Sequence, residues 1–230
     1  GLTFSVAKGE CFAFLGPNGA GKSTTISMLT TLVRPSSGSL RIAGCDPVRD
    51  SQRIRSRIGV VFQTPSLDDD LTALENMMLH AALYKLPRKL RLGRVEEMLS
   101  LVDLHDKSGT AVKTFSVGMK RRLEIARALI HHPDVVILDE PTIGLDTQTR
   151  RVIWGYLKEL NKQEGTTVFF STHYMDEAQA MADRIAVIDH GTLAAVGTSA
   201  ELASLSRTDS LEEAYLALTG ASTRDSVVQN

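Results

Sequence analysis

The stretch Gly16-Pro17-Asn18-Gly19-Ala20-Gly21-Lys22-Ser23-Thr24 constrains what this chain can fold into more than any other. It follows an apolar run, Cys11-Phe12-Ala13-Phe14-Leu15, and precedes a helix-forming segment, Thr25 to Leu32. A buried strand must therefore turn into a helix at the glycines, which is the context a phosphate loop requires. Gly19 and Gly21 tolerate positive φ and close backbone approach, so successive N–H groups can point at phosphate oxygens, and the helix start adds partial positive charge. Lys22 is placed to reach the β and γ phosphates, and the Ser23 hydroxyl to ligate magnesium.

With 230 residues the chain can bury a sizeable core as one domain with room for a subdomain. The formal net charge of -1 gives no basic excess that would argue for nucleic acid. Cys11 and Cys45 have no metal-ligand spacing and read as reduced, intracellular thiols. No apolar run approaches the roughly 18 residues of a membrane span, so spans serving this chain are expected elsewhere. The start at Gly1, straight into the alternation Leu2, Phe4, Val6 and without a signal-peptide pattern, suggests that something precedes it.

In chain order, 2–6 reads as a strand, Ser51 to Ser56 as a short helix, and Ser39 to Ala43 as a half-buried strand. Ile58-Gly59-Val60-Val61-Phe62 is a buried strand with Gln63 at its carboxyl end, the edge where parallel sheets collect ligands. From Pro65 to His131 helical periodicity takes over, with Leu71, Leu74, Met78 and Ala82 on one face and Leu92, Val95, Met98, Leu99 and Val102 on another. Arg88, Lys89, Arg91 and Arg94 read as a solvated basic face. Thr114-Phe115-Ser116-Val117-Gly118-Met119 opens a basic helix, Lys120 to Ile130.

Val135-Val136-Ile137-Leu138 is an apolar strand that ends in two carboxylates, Asp139 and Glu140. Asp139 is suited to hold magnesium, directly or through water, and Glu140 to orient or deprotonate an attacking water. A loop containing Gly144-Leu145-Asp146 precedes an amphipathic helix, Thr147 to Gln163. The next buried strand, Thr167 to Ser171, delivers His173 to the same edge as Gln63, Asp139 and Glu140, where it is placed to contact a γ phosphate.

Over essentially its whole length the chain resembles the nucleotide-binding domain of an ABC transporter. GPNGAGKST is similar to Walker A, Gln63 to the Q-loop, FSVGM to a variant signature, VVILDE to Walker B, GLD to the D-loop and His173 to the switch histidine. The resemblance implies an α/β P-loop NTPase fold: a RecA-like core, an antiparallel β subdomain from the N-terminal strands, and an inserted helical subdomain over 65–131, with a C-terminal helix and tail over 208–230. It implies ATP and magnesium as ligands, the ion held by Ser23, Gln63 and Asp139. It implies head-to-tail dimers, homomeric or heteromeric, in which Ser116 and Gly118 of one subunit face the γ phosphate held by the other, and it implies Asp146 as a further ATP-binding residue. It implies a separate transmembrane permease and a peripheral place on the cytoplasmic face of the membrane.

The segments FSVGMKRRLEIARAL, STHYMDEA and LEEAYLALTG are similar to the exporter branch that includes daunorubicin-type drug-resistance ATPases, and also sodium and polysaccharide exporters. A soluble ABC ATPase of the iron-sulfur assembly kind shares the motifs and is the alternative. A DNA-repair type needs a long coiled coil that the short helices between Lys22 and Asp139 leave no room for, and intact Glu140 and His173 weigh against a non-hydrolysing regulatory domain. Two departures stand out. The aromatic that stacks on adenine in the family falls upstream of Gly1. Val117 stands where the family usually has glycine, and a β-branched side chain there is expected to strain the backbone and hinder closure.

Overall fold

Cys11–Leu15 is buried along its whole length because the strand it forms is covered on both faces. In the computed structural model, which describes residues 1–220, that strand is β1. With β2 (Ile58–Val61), β3 (Val135–Asp139), β4 (Thr167–Thr172), β5 (Arg184–Asp189) and β6 (Thr192–Gly197) it forms one sheet in the order β2-β3-β4-β1-β5-β6. Strands β1 to β5 run parallel, and β6 closes one edge antiparallel to β5.

The alternation of each strand divides its side chains between two cores. Cys11, Ala13, Leu15, Leu138, Val168, Phe170, Ile185 and Val187 face one cluster. Phe12, Phe14, Ile137, Phe169, Ala186 and Ile188 face the other. Helices α1 (Lys22–Leu29) and α2 (Ser51–Arg55) contribute Ile26 and Ile54 to the second cluster. Helices α3 (Ala73–Leu83), α4 (Arg88–Leu101), α5 (Val117–Leu129) and α6 (Thr147–Glu164) pack into the first. Short helices α7 (Met175–Met181), α8 (Ser199–Ser206) and α9 (Leu211–Thr219) complete the described chain. The tail expected after α9 lies outside the described residues.

Every parallel strand delivers its carboxyl end to one edge, so the loops after β1, β2, β3 and β4 bring the glycine loop, Gln63, Glu140 and His173 there. This mixed, mainly parallel sheet with a glycine loop between β1 and α1 is the P-loop, RecA-like architecture expected.

Several local expectations are corrected. Residues 2–6 have no ladder partner, and 39–43 make only an isolated bridge, Ile42 to Cys45, so among the described residues no antiparallel sheet arises from the N-terminal segments. The alternation was real but serves packing: Phe4 stacks on Phe12 and Phe169 at centroid distances of 5.6 and 6.3 Å. The fully buried apolar line of α3 is Ala73, Met77 and Ala81, and of the expected face Leu74 and Met78 pack partly buried against the same core. A capping box between Thr72 and Glu75 starts the helix after Leu71. Leu92 is exposed, while Val95, Met98, Leu99 and Val102 are buried. Arg94 is not solvated: it is buried, and its guanidinium donates to the carbonyls of Leu129 (3.0 Å) and Ile130 (3.2 Å). These carbonyls close the C-terminal end of α5, where an arginine can add donors that the helix lacks; Leu129 also accepts the His132 N–H at 3.2 Å.

Candidate active site

The loop between β1 and α1 owes its path to two glycine properties. A Cβ on Gly16 would lie 2.5 Å from the carbonyl oxygen of Ile188, so only glycine lets the chain leave β1 against β5. Gly19 and Gly21 have φ of 81° and 100°, a region that side chains rarely occupy. Gly21 caps α1 without any side-chain hydrogen bond, so the first-turn N–H groups, which lack intrahelical partners, carry no cap of their own. Lys22, Ser23 and Thr24 of that turn line a cleft of about 350 Å³ together with Pro17, Asn18, Gly19 and Gly21. Gly16 and Ala20 are buried beneath it.

Gln63, Glu140 and Ile143 form the rest of the cleft wall. Lys22 is 5% exposed, and its Nζ donates to the carbonyls of Gly16 (2.8 Å) and Pro17 (3.1 Å) and pairs with Glu140 Oε1 at 3.2 Å. His173 Nδ1 stands 3.3 Å from the same carboxylate oxygen, at a distance fit for an ion pair but not aligned for a hydrogen bond. A lysine, a carboxylate and an imidazole from three loops thus converge on one point. Glu140 reaches it from a backbone with φ of 47°, unusual for a residue with a side chain. Its N–H donates to Ser171 Oγ (2.9 Å), and that hydroxyl in turn donates to Asp139 Oδ1 (2.5 Å). Asp139 is buried at the end of β3, beside Ser171 in the parallel register.

Ser116, Gly118 and Asp146 are elsewhere. They do not line the cleft. Ser116 is the exposed N-cap of α5, accepting from the Met119 N–H (3.2 Å), and Gly118 follows in the first turn against Thr149. Asp146 caps α6, and its bonds from the Thr149 hydroxyl (2.7 Å) and amide (2.9 Å) hold its carboxyl below the usual range. Val117 is helical, without positive φ, and its side chain is 67% exposed. The expected backbone strain is absent, because the helix begins at this residue and α-region φ suits valine.

The donor set fits a nucleotide with its ion. Among the described residues no group of three or more His, Cys, Asp or Glu forms a metal cage. A hydroxyl (Ser23), an amide (Gln63) and one carboxylate (Asp139) suit magnesium, a hard cation that completes its octahedron with water and phosphate oxygens. Sequence reasoning missed Ser171 and Ile143. Ser171 carried a signal, a hydroxyl closing an apolar strand beside Asp139; Ile143 carried none. A second cavity of about 250 Å³ lies by Cys11, Trp154 and Asp183, at the opposite end of β1, and holds none of the expected residues. Burial pushes the Cys11 thiol there up to about 12, which keeps it protonated and unreactive.

Comparison with known proteins agrees with this geometry. Residues 1–143 match the family described as ABC transporter. The chain is 43% identical over 204 residues to a linearmycin resistance ATP-binding protein of Bacillus subtilis, covering 89% of this chain and 65% of that protein. It is 44% identical over 204 residues to a daunorubicin/doxorubicin resistance ATP-binding protein of Streptomyces peucetius, covering 89% and 62%. A Nod factor export ATP-binding protein of Ralstonia nicotianae is 43% identical over 88% of this chain and 63% of its own length. The chain thus spans somewhat less than two thirds of these relatives. Among solved structures, an ATP-binding subunit of an ABC transporter superposes with a TM-score of 0.86 at 31% identity, covering 94% of this chain and 91% of that one. A dimeric ATP-binding cassette in a post-hydrolysis state with ADP and Pi gives 0.78 at 30% identity, covering 85% and 88%. By its sequence, its fold and the placing of Lys22, Gln63, Glu140 and His173 at one sheet edge, the chain belongs to the ABC transporter family, as an ATP-binding cassette.

Proposed function

We propose that this chain is the ATP-hydrolysing subunit of an exporter, working as a head-to-tail dimer that drives a separate transmembrane permease. The observation that carries the reading is the meeting of Lys22, Glu140 and His173 at the mouth of the phosphate loop, with Lys22 and His173 each within 3.3 Å of one carboxylate oxygen. In this reading the backbone of Gly16 to Thr24 and the Lys22 ammonium bind the triphosphate. Gln63 and His173 address its γ end.

Glu140 accepts a proton as the water oxygen attacks the γ phosphorus and the bridging P–O bond breaks, leaving its electron pair on ADP. Magnesium, when bound, neutralises charge on the phosphate oxygens, and Ser23, Gln63 and Asp139 are the residues that would hold it, directly or through water. Ser171 fixes Asp139 and the Glu140 backbone together, so the ion-facing and water-facing carboxylates stay in register.

Ser116, Gly118 and Asp146 stand outside the cleft, which supports a role toward nucleotide held by a second subunit. A dimer is also the state of a related cassette with ADP and Pi. Among the described residues no helix is long and apolar enough to cross a membrane, so the permease would be another chain or another part of this one. Drug-resistance and Nod-factor-export relatives support export; in this reading the chain sits peripherally on the cytoplasmic face of the membrane.

The test is to purify the protein from membranes. A copurifying chain with several membrane spans, whose presence stimulates ATP turnover, supports the assignment; a soluble assembly partner in its place would replace it with the iron-sulfur type of ATPase. Turnover unaffected by Glu140→Gln would remove the hydrolytic reading altogether.

A further inference from the structure

Arg121 lies five residues past Ser116 on α5 and is 6% exposed. Its guanidinium spends almost all its donors on main-chain carbonyls. Nε donates to Pro141 (2.6 Å), Nη1 to Phe62 (2.6 Å), and Nη2 to both Asp139 (3.1 Å) and Glu140 (3.0 Å). Nη1 also pairs with Glu124 Oε2 (3.2 Å), one turn along the helix, whose other oxygen accepts the Ser66 N–H (2.9 Å). Burial pulls the guanidinium's basicity down and Glu124 holds it up. A buried cation is costly to desolvate, and here it is compensated by one carboxylate and four carbonyls.

The position of those carbonyls matters more than their number. Phe62 immediately precedes Gln63, and Asp139, Glu140 and Pro141 are the end of β3 and its exit. We propose that Arg121 is a positioning residue for hydrolysis, whose fork fixes the ends of β2 and β3 and thereby sets where the Gln63 amide and the Glu140 carboxylate stand. Glu140 occupies a φ of 47°, which its neighbours must enforce. Ser171 holds the N–H of that residue and Arg121 its carbonyl, so the peptide is pinned at both ends. The planar, multidentate guanidinium can span two strand ends; an ammonium cannot. Because the same rigid helix begins at Ser116, displacement at its exposed start is carried by Arg121 to the backbone of the carboxylate.

The proposal rests on the reading of Glu140 as base, and the experiment separates the two. Steady-state ATP turnover of the full-length protein is measured for wild type, Arg121→Gln, Glu140→Gln and the double variant. Arg121→Gln is expected to lower kcat roughly tenfold or more with KM changed less than about threefold. In the Glu140→Gln background the same change should cost at least about threefold less than in the wild-type background, since the part of its effect that passes through the Glu140 carboxylate is already lost. A role confined to folding would instead lower both backgrounds by the same factor, and that result, or wild-type kcat in Arg121→Gln, overturns the proposal. If Glu140→Gln itself hydrolyses normally, the functional reading fails first. Should Arg121→Gln not fold, Arg121→Lys, which keeps the charge without the fork, goes through the same cycle with the same two outcomes.

Discussion

Two helix starts, those of α1 and α5, present a small hydroxyl residue to solvent in each case, yet their surroundings differ completely. At α1, Ser23 stands beside a buried lysine, the loops after β2 and β3 bring Gln63 and Glu140 to the same cleft, and the loop after β4 sets His173 against Glu140. At α5, Ser116 and Val117 are exposed, Ser116 caps its own helix, and the nearby Lys120 is paired with Asp69. The first start is uncapped and surrounded by chemistry; the second is capped and bare. A helix terminus alone is a weak anion site, and what distinguishes the α1 start is the convergent set of charges behind it. That contrast is why the proposed role of the α5 start is toward nucleotide held by a second subunit.

The largest effect should come from breaking the first region. Lys22→Ala removes the only ammonium lining the cleft among the described residues and leaves backbone donors to hold the phosphates. Turnover should fall by roughly 10²–10³-fold, the scale of losing a charged stabiliser in a closed site, with nucleotide affinity weakened as well. Wild-type turnover would mean that the nucleotide binds elsewhere.

Breaking the second region should look different. Ser116→Ala should leave nucleotide affinity of the monomer unchanged, lower turnover about tenfold through the dimer, and reduce stability by about 1 kcal/mol through the lost cap. Equal turnover per subunit at all protein concentrations would argue that α5 does no work in trans.

The helical region also carries a pH signature. Burial pulls His80 and His131 down to about 4 from the ordinary 6.5, and Tyr84 stacks on His131 at 3.7 Å. The unfolded chain therefore takes up protons at these sites between pH 6.5 and 4 that the folded chain refuses. Their stabilising contribution is complete above pH 6.5 and is lost as pH falls through that window. Denaturant midpoints at pH 7.5 and 5.0 should show a smaller loss on acidification in His80→Gln/His131→Gln than in wild type. An equal loss would place the acid sensitivity elsewhere.

The smallest effect should belong to Val117→Gly. A helical, exposed valine relieves no strain when replaced, so turnover should change less than about twofold, and stability should fall slightly because glycine is a poorer helix residue by under 1 kcal/mol. A marked rise in turnover would restore the view that its bulk hinders closure.

Much of the fold was legible because its signals were local. Continuous apolar runs with a glycine loop or paired carboxylates at their ends marked β1 and β3, and a parallel sheet gathers such ends on one edge whatever the loops between them do. What could not be read depended on partners distant in sequence. The alternation of Leu2, Phe4 and Val6 is the same whether a ladder or a face of phenylalanines receives it. Arg94 and Arg121 look like surface charges in a basic helical stretch, and only the carbonyls of Leu129, Phe62 and Glu140 make them internal.

The central claim is that one chain holds the nucleotide and another completes the site. Its most direct test is the mass of Glu140→Gln in solution, measured by light scattering after gel filtration with ATP and magnesium and again without nucleotide. Removing the base while keeping shape and hydrogen bonding should let ATP accumulate unhydrolysed between two subunits. The account predicts a dimer with ATP and a monomer without it. A monomer that binds ATP at saturation and never dimerises, under conditions where the wild type does, would contradict it.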